Sequence, residues 1–292
     1  MQQCAPTVAQ ALSPFPHYCG TVQNYGEHAG NSSYHSFQFK AEKRMSSGLW
    51  FLTSYTFSKF ISTYADVQAD AVNWGGSSGI ISPHERERFK ALDNQDVPHT
   101  LSVALMWELP FGKGKRFANS SGVADKVLGG WQFTSIWRSQ SGIPLFWYSS
   151  NCRIPGQFRA GCNPGVLEGA NPFAQEKSSF NPDLPFYNAS AFEDGGVMLF
   201  NRGASGRTTN FRGFGFHNHN ISLQKETGIT ERVKFQFRAE FFNIWNWHFF
   251  SAGTTWGEGG SFNNDVASSG FGLPTGAVTA PRNIQLGAKI IF

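Results

Sequence analysis

Charged side chains are scarce in this chain. Asp, Glu, Lys and Arg make up 15 % of its 292 residues, against roughly 25 % in ordinary soluble domains. The net charge of +4 is too diffuse to argue for nucleic acid as a partner. The one dense basic run, Lys113-Gly-Lys-Arg116, sits between Phe111 and Phe117 and reads as a solvated turn. Long apolar runs are missing as well: none reaches the ~18 residues that a membrane-spanning helix requires. The start, Met1-Gln-Gln-Cys-Ala-Pro6, has neither a charged n-region nor an apolar h-region, so no signal peptide is expected there.

Catalytic and metal-binding patterns are equally thin. Ser, His and Asp occur without an arrangement that would identify a triad. Gly112-Lys-Gly-Lys115 and Gly203-Ala-Ser-Gly-Arg207 lack P-loop spacing. His84-Glu-Arg-Glu-Arg88 could take an anion, but a solvated loop is the simpler reading. His217-Asn-His219 puts two histidines on one face of a strand, as an interfacial polar patch rather than a metal pair. No enzyme activity, metal or cofactor is expected. Only four cysteines occur, as Cys4 and Cys19, then Cys152 and Cys162. Three connectivities are open. The two pairs close in sequence are favoured, which an oxidising surface location would explain; free thiols in loops are the alternative.

Aromatics are abundant, at 15 % with 29 Phe, and so is Gly, at 32. They fall in segments of period two, the signature of strands with one apolar face. Tyr34–Lys43 alternates Phe37, Phe39 and Ala41 with Ser36, Gln38, Lys40 and Glu42. Leu49–Phe60 returns after Met45-Ser-Ser-Gly48, with Trp50 and Leu52 blurring its start. His99–Leu109 sets Leu101, Val103, Leu105 and Trp107 against Thr100, Ser102 and Glu108. Gly130–Tyr148 follows, with Arg138 on its polar side and a bulge expected at Ser141-Gly142. Phe216–Glu226 and Arg232–Asn246 come next; in the latter Phe235, Phe237 and Phe241 oppose Lys234, Arg238 and Glu240. The last eleven residues, Arg282–Phe292, put Ile284, Leu286, Ala288, Ile290 and Phe292 on one face, with Lys289 on the other. A helical turn is expected at Val123–Leu128.

These are seven strands, and their connections have a parity. The long ones, 61–98, 149–215 and 247–281, fall on one side and are expected to be irregular. The short ones, 44–48, 110–129 and 227–231, fall on the other. That asymmetry, with a terminal aromatic strand, belongs to an all-β up-and-down meander forming part of a transmembrane outer-membrane β-barrel. Mean hydropathy of −0.31 does not argue against a membrane, since alternation hides the apolar half. A soluble β-sandwich is the competing fold. The barrel predicts that Phe37, Leu101, Val103, Leu105, Phe235, Phe237, Leu286 and Ile290 share the lipid-facing surface. It predicts a lumen-facing set of Gln38, Lys40, Glu108, Arg138, Lys234, Arg238, Glu240 and Lys289. Aromatic girdles are expected at the short-turn edge (Phe111, Trp131, Phe292) and the long-loop edge (Phe57, Phe60, Trp147, Tyr148, Trp245, Trp247).

Phe235-Gln-Phe-Arg-Ala-Glu-Phe-Phe-Asn-Ile-Trp-Asn246 resembles the penultimate-strand motif of TonB-dependent receptors of the Oar-like type. These are large acidobacterial proteins with an amino-terminal carboxypeptidase-regulatory-like domain. Ser54-Tyr-Thr-Phe-Ser-Lys59, Glu108-Leu-Pro-Phe-Gly-Lys-Gly-Lys115, Gly129-Gly-Trp-Gln-Phe133, Ser141-Gly-Ile-Pro144, Asn188-Ala-Ser-Ala-Phe192 and Arg282-Asn-Ile-Gln-Leu-Gly287 resemble that family in the same order. Gln285, Gly287, Ile290 and Phe292 resemble the signal read by the barrel-assembly machinery, with Ile290 where an aromatic is usual. The resemblance implies a barrel of about 22 strands around a plug, energised through TonB. Residues 1–33 are then the remnant of an extracellular loop, and 34–292 the last seven strands. Plug, TonB-contacting segment and earlier strands would lie in the missing upstream part. A smaller outer-membrane barrel acting as adhesin or enzyme is the alternative.

Overall fold

The computed structural model describes residues 30–63, 90–119, 122–151, 162–193, 203–206, 208–250, 262–274 and 280–292, together with 11, 17 and 87. It is built on one antiparallel sheet. Its strands are β1 (Ser32–Ser46), β2 (Leu49–Ser62), β3 (Ala91–Leu92), β4 (His99–Glu108), β5 (Trp131–Gln140), β6 (Phe216–Gly228), β7 (Lys234–Phe242) and β8 (Asn283–Ile291). The sheet order is β1-β2-β4-β5-β6-β7-β8, with the two-residue β3 paired to the end of β2. Every long strand therefore lies beside its neighbour in sequence, as the alternation predicts. The long strands run from 9 to 15 residues. A tilted strand needs about 9–11 to cross a bilayer, so each is long enough.

Local chemistry sets the short connections. Ser46 pairs with Leu49 across Ser47 and Gly48, which have φ of 52° and 76°. Two positive φ values in a two-residue loop suit the right-handed twist of a hairpin, and Gly accepts one without strain. Between β4 and β5 lies the expected helical turn, α1 (Val123–Leu128). The Asp125 carboxylate accepts from the Lys113 backbone N–H at 2.6 Å and ties α1 to the turn before it.

β5 stops at Gln140 instead of continuing through a bulge to Tyr148. The chain leaves the sheet at Ser141, and residues 143–145 pair with 209–213. Leu145 N donates to Phe211 O at 2.8 Å, Thr209 N to Leu145 O at 2.8 Å and Gly213 N to Ile143 O at 3.0 Å. The long connections expected to be irregular also hold the hydrophobic core. Leu145, Trp147, Phe186, Tyr187, Phe192, Phe262, Val266 and Phe271 are buried together, although they come from three parts of the chain. Trp147 packs edge-on against Phe192 and Tyr187, at 4.9 and 5.6 Å between ring centres. Such pairs add about 0.5–1.5 kcal/mol each beyond area burial. Burial pushes the Tyr187 hydroxyl well above the ordinary tyrosine range. Gly272 shows how closely the segments approach: its φ is 80°, and a Cβ there would lie 2.6 Å from Tyr187 N. These aromatics have no regular spacing, so periodicity could not flag them; they meet only because the sheet brings its long connections to one edge.

A buried ion pair fastens this cap to the sheet. Asp96, 1 % exposed, lies before β4, and its Oδ2 is paired with Arg212 Nη2. Arg212 Nη1 also donates to Asp96 O at 2.9 Å and Gly142 O at 3.1 Å. Asp96 Oδ1 accepts from Phe60 N at 2.5 Å, while Asp93 Oδ2 accepts from the Ser62 hydroxyl at 2.6 Å. Lys177 is held nearby on Arg212 O and Gly213 O, at 2.7 and 3.1 Å. Burial first, and the Arg212 charge second, push the Lys177 ammonium below the ordinary lysine range. Cys162, also buried, is disulfide-bonded; Cys4, Cys19 and Cys152 lie outside the described residues, as does most of the His84–Arg88 run.

Breaking one partner of a buried pair costs about 3–5 kcal/mol, because the other charge is stranded. Asp96→Ala should therefore loosen the cap while leaving the sheet paired. The expected readout is rapid protease cleavage within 162–215, at protease levels the unmutated protein resists.

Candidate functional site: two faces and a rim

Partners in an antiparallel ladder point to the same face, so the register sorts the side chains. One face follows Phe37↔Phe57↔His99, Tyr55↔Leu101↔Ser139, Val103↔Trp137↔His219 and Leu105↔Ser135↔Ile221. It continues through Ile221↔Phe241↔Ile284, Ala239↔Leu286, Phe237↔Ala288 and Phe235↔Ile290. Phe37, Leu101, Val103, Leu105, Phe235, Phe237, Leu286 and Ile290 thus lie on a single apolar face. Leu286 is 67 % exposed there. An apolar surface of this extent needs a partner, and a row of strands each able to cross a bilayer makes lipid the fitting one.

The other face follows Gln38↔Thr56↔Thr100↔Gln140, Lys40↔Ser54↔Ser102↔Arg138 and Glu108↔Gln132↔Gln224↔Arg238. Arg238 pairs with Gly287, Glu240 with Gln285, Gln236 with Lys289 and Lys234 with Ile291. Gln38, Lys40, Glu108, Arg138, Lys234, Arg238, Glu240 and Lys289 are therefore together on this polar face. Ion pairs link Lys40 to Glu42 at 3.2 Å, Glu108 to Lys115 at 3.0 Å, Lys234 to Glu226 at 2.8 Å and Arg238 to Glu240 at 3.5 Å. A strip of this face is apolar: Leu52, Ala104 and Ile136 stand in register, beside Trp50 and Met106. Alternation hid it, because it occupies positions whose sequence neighbours are also apolar.

The rims follow from the same register. Trp131 stands on the apolar face at the short-turn edge, where its indole N–H donates to Val127 O at 3.0 Å. Phe111 and Phe292 are exposed at that edge, Phe292 by 93 %. At the long-connection edge Phe57, Trp245 and Trp247 are exposed. Three expected girdle members are not there. The first, Tyr148, leaves the sheet with Trp147 and bridges to Asp265 in the cap. Trp147 is 1 % exposed inside the cap, and Phe60 is on the polar face opposite Tyr34. Trp147 follows the chain out of the sheet after Gln140, and Phe60 is one residue out of phase with Phe57. Among the described residues no group of His, Cys, Asp or Glu could hold a metal ion.

The Phe-Asn-Ile-Trp-Asn segment after β7 has a structural reason. Asn243 and Asn246 take positive φ of 50° and 55°, a region that Asn tolerates better than most residues. Asn243 is buried; its side chain accepts from Trp247 N at 2.9 Å and donates to Trp247 O at 2.8 Å and Ala280 O at 3.2 Å. Asn246 Oδ1 accepts from Arg282 N at 2.9 Å. The turn thus joins β7 to β8 and projects Trp245 onto the apolar face, against His219. Asn243→Ala strands these buried groups at about 1–3 kcal/mol. It should lower the denaturation midpoint of the folded protein and blue- or red-shift Trp emission as Trp245 and Trp247 move.

A family model described as an outer membrane beta barrel domain matches residues 1–285. No curated protein and no solved structure matches the chain. A two-faced meander with long connections at one edge only is what that family's setting demands, and the chain belongs to the outer membrane beta barrel domain family, whose place is the outer membrane of a Gram-negative bacterium.

Proposed function

We propose that this chain is the terminal part of the barrel of a TonB-dependent receptor, which takes up a substrate across the outer membrane. The observation that carries the reading is a pair of open edges on a membrane sheet. Among the described residues β1 pairs only with β2, and β8 only with β7. In lipid each unpaired backbone group costs several kcal/mol, so only closed barrels span membranes. Closure takes at least about eight spanning strands, and single-chain barrels use even numbers. Seven long strands therefore ask for more, and the motifs that resemble Oar-like receptors supply a source: upstream strands of the same receptor.

In that setting the polar face is the lumen wall. Its ion pairs are largely exposed, so each is worth only about 0–1 kcal/mol. They add little to the fold, and their use is to face water or a plug. The apolar strip of Trp50, Leu52, Met106 and Ile136 offers a seat for such a plug. TonB would act through the plug-bearing part. Gln285, Gly287, Ile290 and Phe292 form the signal for the barrel-assembly machinery. A Cβ at Gly287 would meet nothing within 4 Å, so its small size serves no packing within this chain.

The reading is tested by expressing residues 1–292 behind a secretory signal peptide, alone and joined to the upstream strands and plug. Joined, the protein should give a heat-modifiable, protease-resistant barrel and take up substrate; alone, it should give neither. A stable monomeric barrel from residues 1–292 alone overturns the proposal.

A further inference from the structure

We propose that the polar face, just below the long connections, binds a neutral oligosaccharide. Such a site rests on the reading of the chain as part of an uptake receptor, and it names the class of substrate taken up.

The polar face is not uniform along its height. Towards the short-turn edge it is charged, and the charges are paired: Glu108 with Lys115, Glu226 with Lys234 and Arg238 with Glu240. Towards the long connections, two adjacent rows of the ladder are nearly neutral. The first, Gln38↔Thr56↔Thr100↔Gln140, carries no charge across four strands. The second sets Ser54 and Ser102 between Lys40 and Arg138, with Asn218 beyond. Those two cations are engaged, Lys40 with Glu42 at 3.2 Å and Arg138 with Gln140 Oε1 at 3.3 Å. Phe216 closes the first row beside Gln140, and the Arg138 guanidinium lies 6.0 Å from its ring centre. Side chains in adjacent rows of neighbouring strands touch one patch of a sheet, so these groups form a single surface.

The surface is open to a ligand. Among the described residues the hydroxyls of Ser54, Thr56, Thr100 and Ser102 and the Asn218 carboxamide have no hydrogen-bond partner. All five side chains are exposed or half-exposed. Hydroxyls and carboxamides both donate and accept, which is the complement of a polyol, whose hydroxyls do the same. A wall that only had to meet water could carry charges, as the lower part of this face does. An anionic ligand would need cations in excess, and each cation of this patch already has a partner. A purely apolar ligand would strip water from these hydroxyls and return no hydrogen bond. Strands stand about 4.8 Å apart, so the first row spans roughly 14 Å. That length suits a chain of sugar rings rather than a single one. The Phe216 ring gives an apolar body for the C–H face of one of them. Long connections face the cell exterior in such barrels, so this patch is the first stretch of polar wall that a ligand entering from outside meets.

The test uses the receptor joined to its upstream strands and plug, purified from the outer membrane into nanodiscs. It is probed with an array of neutral oligosaccharides, with uronic-acid oligosaccharides of the same length, and with an anionic iron–catecholate chelate. A neutral oligosaccharide should bind tightest. Thr100→Val and Gln140→Leu, which remove one hydrogen-bonding group each, should weaken it about fivefold. Thr53→Val makes the same change on the apolar face and should bind as the unmutated protein does. Heat-modifiability is measured on every variant, so that misfolding is separated from loss of binding. A heat-modifiable barrel that binds no neutral oligosaccharide, that prefers the anionic probes, or that keeps its affinity in folded Thr100→Val and Gln140→Leu protein overturns the substrate class and leaves the uptake reading standing. Failure of the joined protein to form a barrel overturns both.

Discussion

The backbone ladder is the constraint on which everything else depends. A chain crossing a bilayer has no water to satisfy its amide groups, so each strand must pair along its length. Pairing with the sequence neighbour is the topologically simplest solution, and this sheet adopts it throughout. Register then leaves little choice. Once Phe37 stands opposite Phe57 and Phe57 opposite His99, a slip of one residue would turn lysines and glutamates into the lipid. Two faces of opposite character, and two rims, are consequences of that one requirement.

The rims are where polar chemistry and lipid meet, and both rims show the same device. A tryptophan N–H finds a fixed acceptor, Val127 O for Trp131 and His219 for Trp245. Lys43 and Lys225 reach backbone carbonyls at the short-turn rim. Turn residues serve the rims too: Asn243 and Asn246 accept backbone angles that most residues avoid, and in doing so aim Trp245 and Trp247. The cap follows a different logic. Its stability comes from aromatic contacts among segments far apart in sequence, fastened by Asp96 and Arg212, and it resembles the core of a small soluble domain set on the edge of a membrane sheet.

Much of the sheet was legible in the sequence because its determinants are local. Period two, a Ser-Gly turn and a short helical segment at Val123–Leu128 are properties of a few adjacent residues, and all appear where expected to within a few positions. The common face of Gln38, Lys40, Glu108, Arg138, Lys234, Arg238, Glu240 and Lys289 follows from the same alternation carried across strands by the register. The misplacement of Phe60 at the girdle runs against its own phase in β2, whereas Trp147 and Tyr148 at the girdle and a strand running on to Tyr148 share one cause. Alternation cannot tell where a strand leaves the sheet.

What the sequence determined by itself was the pattern of alternation and turns, and with it an antiparallel meander with one apolar face, since those preferences act between neighbours in the chain. Only the tertiary structure decided that Trp147, Tyr187, Phe192, Phe262 and Phe271 form a common core, that Asp96 finds Arg212, and that the Trp245 indole N–H finds His219. Those contacts join residues far apart along the chain, and nothing short of the assembled sheet brings them within reach.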